Sequence, residues 1–255
     1  MNPHDLLQVA LEAAARATQV VREGALGDLE IRTKSSPKDL VTQVDLASER
    51  MIREVIRLHH PDHSILGEEG GLVGESPYRW VIDPIDGTSN FARGLPHYAV
   101  SIGLEHDEQG LIGVISQPVL NDVYHAEHGS GSFKNGLPIR VSSRKALSES
   151  YVTMSFSTDS GVIVQATALW EVLLTRTQTL RRLGSTALEL AWLAEGKIDA
   201  FIGFGQGAWD VAAGCVLVEE AGGTVMVLDD GATLVAASSA ELAQEIEAML
   251  LESGA

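Results

Sequence analysis

The apolar run Trp80-Val81-Ile82 ends directly in Asp83-Pro84-Ile85-Asp86-Gly87-Thr88. The first three residues read as the end of a buried strand, and the next six as a rigid turn lined with acid. Pro84 sets one φ angle and Gly87 admits a tight or left-handed turn, so the two carboxylates are aimed rather than free to wander. Acids three residues apart on such a turn repel each other unless positive charge lies between them, and a hard divalent cation held through oxygen is the usual solution. Whatever fold the chain adopts has to deliver a strand end to a place where metal can sit.

The rest of the chain bounds what that site can serve. Its 255 residues suffice for one large domain or two small ones sharing a core, and 45% hydrophobic content supports a packed globule. No apolar run approaches the roughly 18 residues of a membrane span. The start, Met1-Asn2-Pro3-His4-Asp5, lacks the basic-then-apolar pattern of a signal peptide, so a cytoplasmic protein is expected. One cysteine, Cys215, excludes an intramolecular disulfide framework and a thiolate zinc cluster, and its neighbours Val216 and Leu217 read it as a small buried hydrophobe. With 18 basic against 35 acidic residues, a formal charge of -17 repels nucleic acid and anionic lipid at long range, so neither partner is expected. An anionic substrate then needs local positive charge, which bound metal supplies.

Leu6, Val9, Ala10, Ala13, Ala17, Val20 and Val21 recur at helical spacing and Gly24 stops the run. A second helix is predicted with Ala47, Met51, Val55 and Leu58 on one face, ending before Pro61. Strands are predicted at 80–82, 99–105, 111–117 and 123–126, then an Asn135-Gly136 hairpin turn before Ile139-Arg140-Val141. Ser142-Ser143-Arg144-Lys145 marks a boundary between a half at 1–143 and a half at 144–255. Beyond it strands at 151–156, 179–183, 198–202 and 224–228 alternate with helices at 166–174, 185–195 and 210–220 and a last helix through Leu251. That alternation predicts a sheet covered by helices.

Other segments compete for chemistry. Gly67-Glu68-Glu69-Gly70-Gly71 puts two acids on a loop just before the strand that delivers Asp83; exposed loop acids are usually just solvated, but the turn needs a third carboxylate. Asp210 stands in the first turn of an apolar helix, where dipole stabilisation alone would explain it, as would ligation of metal. Thr42-Gln43-Val44-Asp45 fits a capping box, and an acid held there can also orient a hydroxyl in a neighbouring site. Gly203-Phe204-Gly205-Gln206-Gly207-Ala208 matches G-x-G-x-x-A, but Asp210 would set negative charge where a pyrophosphate belongs. His59-His60-Pro61-Asp62-His63 lacks the i, i+4 pair of zinc hydrolases and reads as an exposed cap.

Together, Gly67-Glu68-Glu69, the stretch from Trp80 to Phe91 and Trp209-Asp210-Val211-Ala212-Ala213-Gly214 resemble the signatures of the inositol monophosphatase family. The stretch from Lys34 through Ser35, Ser36, Pro37, Lys38 and Asp39 to Thr42, then Gly184-Ser185-Thr186-Ala187 and Glu219-Glu220-Ala221-Gly222-Gly223, follow in the family's order. The resemblance implies a layered αβαβα sandwich of the inositol monophosphatase and fructose-1,6-bisphosphatase type, α+β in its first half and α/β in its second. It implies a phosphomonoesterase that uses two or three Mg²⁺ ions: Glu68, Asp83 and the Ile85 carbonyl on the first, Asp83, Asp86 and Asp210 on the second, and Glu68 again on a weaker third. Water, positioned and deprotonated by Thr88, Asp45 and Glu68, would attack in line without a phosphoenzyme, and the Gly87 and Thr88 N–H groups would point at the phosphate. Gly184, Ser185 and Thr186 would line the leaving-group pocket, and Lys34 would serve a mobile loop that completes the metal site. A homodimer is the family's usual state.

For the substrate, the resemblance implies a small phosphorylated polyol or sugar, nominally inositol monophosphate, with fructose 1,6-bisphosphate, histidinol phosphate and NADP as alternatives. Inositol-recognising members carry a glutamate seven residues before the aspartate of the Trp-Asp motif, and here that position is Gly203. Asp86-Gly87-Thr88-Ser89-Asn90-Phe91 looks like the inositol and fructose phosphatase branch, and the segment from Ser157 to Thr179 looks shorter than usual. A regulatory binding protein on a phosphatase fold is the reading without enzymatic activity, although it has no need of the complete carboxylate set.

Overall fold

The computed structural model describes residues 3–34, 37 and 39–253, so Ser35, Ser36 and Lys38 of the stretch after Lys34 lie outside the described residues. Helices α1 (Pro3–Gly24) and α2 (Gln43–His59) flank a hairpin of β1 (Ile31–Thr33) and β2 (Leu40–Thr42). An eight-stranded sheet follows, built from β3 (Ser64–Gly67), β4 (Gly71–Val73), β5 (Tyr78–Asp86), β6 (Ala99–His106), β7 (Gln109–Gln117), β8 (Asp122–Glu127), β9 (Gly131–Lys134) and β10 (Leu137–Ile139), with the short α3 (Thr88–Ala92) after β5. Its order is β10-β9-β8-β7-β6-β5-β3-β4, antiparallel except for the β3–β5 pair. The second half contains β11 (Tyr151–Phe156), α4 (Ser160–Arg176), β12 (Thr179–Arg181), α5 (Thr186–Ala194), β13 (Ala200–Phe204), α6 (Ala208–Glu220), β14 (Thr224–Leu228), β15 (Thr233–Ala237) and α7 (Ala240–Ser253), and its five strands are ordered β12-β11-β13-β15-β14.

Side-chain alternation along the strands divides the interior into three apolar clusters. Trp80, Ile82, Ile102, Leu104 and Val114 pack with Leu6, Ala13, Ile52 and Ile56 of α1 and α2. Ile115, Tyr124 and Ala126, on the other face of that sheet, meet α5, α6 and the inner face of the second sheet through Leu188, Ala191, Leu217, Phe201, Leu234 and Ala236. The neighbours in sequence Ile202, Val235 and Ala237 point outward to Leu169, Leu173 and Ile246 of α4 and α7. The layers therefore run α, β, α, β, α, and fully burying each large side chain contributes about 1.5–3 kcal/mol.

The middle layer is drawn in tightly at one place. Val81, Gly103, Gly113 and Ala126 form one row across β5 to β8. A Cβ on Gly113 would lie 2.2 Å from the Ala213 carbonyl oxygen, and one on Gly103 would lie 2.9 Å from the Ala212 Cβ. Without those carbons α6 lies directly on the sheet, and that lowers its first turn, with Asp210, toward the end of β5.

Several sequence expectations need correction. The buried face of α2 is not Ala47-Met51-Val55-Leu58: it carries Val44, Asp45, Ser48, Glu49, Ile52, Arg53, Val55 and Ile56, while Leu58 is 73% exposed. Hydrophobic periodicity missed it because three charged residues are turned inward. His63 is not an exposed cap but buried, stacked on Tyr78 at 4.8 Å and accepting the Trp80 indole N–H at 3.1 Å. Burial, with His60 beside it, pushes its imidazole down to about 4, which keeps Nδ1 an acceptor. The strand after the Asn135-Gly136 turn is Leu137–Ile139 rather than 139–141, and the strand predicted from Ile198 begins at Ala200. β1 to β4, β9 and β15 went unpredicted. β15 lies between β13 and β14, so the glycine-rich turn after β13 does not belong to a nucleotide-binding unit of adjacent parallel strands. Cys215 is half-buried against the middle cluster.

Candidate active site

Asp83 and Asp86 are an odd number of residues apart, so a regular strand would point them to opposite faces. The β5–β6 ladder pairs Asp83 with Ser101 and Asp86 with Ala99, three steps on one strand against two on the other. This bulge at Pro84 and Ile85 turns both carboxylates to one side. Asp210 joins them: ligand-type oxygens of Asp83, Asp86 and Asp210 lie within 4.8 Å of one another.

Helix starts hold the acids in place, where the dipole and free N–H groups favour negative charge. Asp86 rests on the start of α5, accepting from the Ser185 hydroxyl (2.5 Å) and the Thr186 (3.1 Å) and Ala187 (2.8 Å) N–H groups. Asp210 accepts the Gly207 N–H at 2.7 Å in the first turn of α6. Asp45 closes a capping box at the start of α2, accepting from the Thr42 N–H at 2.8 Å and from the Thr42 hydroxyl. Its other oxygen, Oδ1, lies 3.0 Å from the Thr88 hydroxyl, which is also 3.0 Å from the Ile85 carbonyl oxygen.

Glu68 follows β3, with its N–H on the Ile82 carbonyl. Lys34 pairs with Glu68 at 2.7 Å and Glu69 at 2.5 Å. The Glu49 carboxylate accepts the Glu69 and Gly70 N–H groups, both at 2.8 Å, and the Arg53 Nε–H at 2.8 Å, while Arg53 Nη2 donates to the Gly71 carbonyl at 2.7 Å. Sequence reasoning missed this clamp; the only signal was a Glu and an Arg at i, i+4 on α2. The glycines around it have a reason: a Cβ on Gly67 or Gly70 would come within 2.6 Å of a Glu49 oxygen.

The left-handed Gly87 (φ +95°) begins α3, and a Cβ there would lie 3.0 Å from the Gly184 carbonyl and 3.1 Å from that of His97. Asn90, also unassigned by the sequence, donates to the carbonyls of His97 (2.8 Å) and Leu183 (2.9 Å) and so ties α3 to the loop before α5. A cavity of about 330 Å³ lined by Glu68, Asp83, Ile85, Asp86, Gly87, Thr88, Gly184 and Asp210 collects most of the predicted residues. A neighbouring one of about 750 Å³ shares Asp86, Gly184 and Asp210 and adds Thr186 and Gln206. Ser185 lines neither. It is fully buried with its hydroxyl on Asp86, so it supports an acid instead of facing the cavity.

So many buried acids raise one another's proton affinity. Burial, followed by the charges of Glu68, Asp86 and Asp210, holds Asp83 well above the ordinary carboxylate range. Burial and then Asp86 push Asp210 up to about 8. Asp86 rises to about 6 through burial, moderated by Ser185, Ala187 and Thr186. Burial raises Glu68 against the pull of Lys34, and raises Asp45 against its Thr42 and Thr88 hydrogen bonds. A compact all-oxygen donor set with uncompensated negative charge suits a hard divalent cation such as Mg²⁺.

Comparison with known proteins adds a lineage. A model of the inositol monophosphatase family matches residues 2–253. A protein named Nus factor SuhB from Pasteurella multocida is 38% identical over 236 residues, covering 91% of this chain and 87% of its own. A fructose-1,6-bisphosphatase/inositol-1-monophosphatase from Thermotoga maritima is 39% identical over 76% of this chain and 74% of its own. The solved inositol monophosphatase of an Anabaena (Nostoc) species superposes with a TM-score of 0.87 at 34% identity, covering 99% of this chain and 97% of that one.

Proposed function

The chain belongs to the inositol monophosphatase family, and on that premise we propose that it is a Mg²⁺-dependent phosphomonoesterase of a small phosphorylated polyol or sugar, nominally inositol monophosphate. The convergence of Asp83, Asp86 and Asp210 within 4.8 Å, with Glu68 and Thr88 in the same cavity, carries this reading. Glu68, Asp83 and the Ile85 carbonyl would hold one Mg²⁺, Asp83, Asp86 and Asp210 a second, and Glu68 a weaker third. A metal held by these residues would supply water activation and charge neutralisation on the departing oxygen.

The remaining work falls to the chain itself. Thr88 has one hydroxyl proton; with it donated to Asp45 Oδ1, an oxygen lone pair is left to accept from water. Asp45 thus sets the direction in which Thr88 receives that water, and Glu68 stands in the same cavity as proton acceptor. The N–H groups of Gly87 and Thr88, at the start of α3, suit a phosphate oxygen. Gly184 and Thr186 line the side where the alcohol would sit. The Thermotoga relative's printed name supports fructose 1,6-bisphosphate as an alternative substrate. A homodimer is part of the same reading, measurable by sedimentation.

A second reading, a regulatory binding protein, is favoured by the relatives named Nus factor. Phosphate release from a panel of phosphomonoesters, with Mg²⁺ or chelator and alongside Asp83→Asn, separates the two. Turnover of at least one small ester that disappears in both controls is expected. Metal-independent turnover, or an Asp83→Asn protein as active as the parent, would overturn the enzymatic reading.

A further inference from the structure

The 750 Å³ cavity beside the acidic cluster has an unusual charge for this chain. Its only lining acids, among the described residues, are Asp86 and Asp210, both in the cluster itself. The remaining charged lining groups are Arg93 and Arg182, in a protein with 35 acidic residues against 18 basic ones. Among the described residues, neither arginine forms an ion pair with a carboxylate. Arg93 is exposed at the end of α3.

Arg182 is held in place by neutral groups. Its guanidinium lies 3.8 Å from the centre of the Phe156 ring and Nη2 donates to the Phe156 carbonyl at 3.1 Å. Glu189, whose charge reaches Arg182, turns Oε1 to the Gly184 and Ser185 N–H groups at 3.1 and 3.4 Å. Burial pushes that carboxyl up to about 8, and its Oε1 is engaged by backbone N–H groups, not by the guanidinium. Stacking and a carbonyl contact fix the plane of the guanidinium in advance, which reduces the ordering cost of receiving an anion.

Gly203 offers no carboxylate and is tightly packed, since a Cβ there would meet Gln206 Cγ and the Phe201 ring at 2.9 Å. Gln206 accepts the Thr186 hydroxyl at 2.7 Å and donates to the Phe204 carbonyl at 3.1 Å, so its amide is already engaged. Neutral polyol hydroxyls gain most from carboxylate acceptors, and the two carboxylates that line the cavity, Asp86 and Asp210, belong to the acidic cluster. An anionic group gains from two arginines.

We infer that Arg93 and Arg182 form a subsite for a second anionic group on the alcohol part of the substrate, so that the site favours phosphomonoesters bearing a remote negative charge over those with a neutral polyol. The inference rests on the phosphomonoesterase reading and refines its substrate class. A charge-assisted contact to a guanidinium corresponds to about tenfold or more in affinity.

The test pairs two measurements. The first compares kcat/KM with Mg²⁺ for fructose 1,6-bisphosphate and inositol 1-phosphate, in the parent and in Arg182→Gln, Arg182→Lys and Arg93→Gln. The parent should prefer the bisphosphate, the ratio should fall about tenfold or more in each Gln variant, and Arg182→Lys should keep part of it. The second is a calorimetric titration with fructose 6-phosphate against fructose, which needs no turnover; the parent should bind the phosphorylated sugar more tightly, and the Gln variants should lose the difference. Equal handling of both pairs by the parent, or unchanged ratios in properly folded Gln variants, would overturn the subsite. Arg93→Gln, at an exposed position, keeps the test decisive if Arg182→Gln does not fold. A parent inactive on every ester removes the phosphomonoesterase reading, while the titration still decides whether the two arginines bind an anion.

Discussion

Glu49, on the second helix, accepts the backbone N–H of Glu69 at 2.8 Å and so holds the loop that carries Glu68 from behind. Glu49 and Arg53 are both buried, and the same carboxylate also takes the Gly70 N–H and the Arg53 Nε–H. Glu49→Ala strands the guanidinium and two backbone donors at once. Breaking a buried pair by removing one partner costs about 3–5 kcal/mol, so urea unfolding should show a loss of that order. Mg²⁺ titration of whatever remains folded should show weaker binding, because Glu68 is no longer aimed. Unfolding curves that superpose on the parent's would mean the clamp is idle.

Thr88 touches both Asp45 and the Ile85 carbonyl. Thr88→Ala removes the hydroxyl without disturbing the acids, and loss of one positioned proton-transfer contact lowers kcat by about 10²–10⁴. Thr88→Ser keeps the oxygen and should recover most of the rate. Steady-state kinetics in which Ala and Ser variants behave alike would remove Thr88 from the mechanism.

Gly113 lies 27 residues from Asp86, the acid of the site nearest to it in the chain, yet its missing Cβ lets α6 approach the sheet. Gly113→Ala drives a carbon to 2.2 Å from the Ala213 carbonyl oxygen, so the helix has to lift. Overpacking of this kind costs about 1–3 kcal/mol. Because Asp210 stands on the first turn of that helix, Mg²⁺ affinity should fall together with the melting temperature. A stability loss with unchanged metal affinity would separate the two effects.

The acidic cluster links folding to pH. Asp210, raised to about 8, and Asp86, raised to about 6, both start from an ordinary value of 3.8. The folded metal-free protein therefore binds more protons than the unfolded chain above 3.8, and stability falls as pH rises through 6 and on to 8. Their contribution is fully present below 3.8 and gone above 8. Mg²⁺ compensates the ionised cluster, so the gap in melting temperature between Mg²⁺-loaded and chelator-treated protein should widen from about pH 6 to about pH 8. Parallel curves would contradict this.

Much of the architecture was legible because its signals are local. The alternation of Ile202 outward and Phe201 inward, the spacing of Leu6 to Val21 and the Asn135-Gly136 turn each depend on near neighbours in the chain. The buried face of α2 was not legible, since Asp45, Glu49 and Arg53 look like solvent-facing residues until their partners at Thr88, Glu69 and Gly71 are known. His63 was misjudged for the same reason, its indole partner lying 17 residues away. The clamp shows in the sequence only as the Glu49–Arg53 spacing, and Arg93 and Arg182 carry no motif, because their partners lie in other segments.

What the sequence by itself determined was the inventory and its local aim: acids on a proline-stiffened strand end, a capping box at Asp45, an acid in the first turn of an apolar helix, and the motif order that resembles one family. Only the tertiary structure decided that these acids meet. The bulge at Pro84 and Ile85 puts Asp83 and Asp86 on one face, and the bare surface of Gly103 and Gly113 lets α6 carry Asp210 to them across more than a hundred residues. The physical reason is that a carboxylate's chemistry depends on charge and solvent within a few ångströms, while a sequence records only neighbours along the chain.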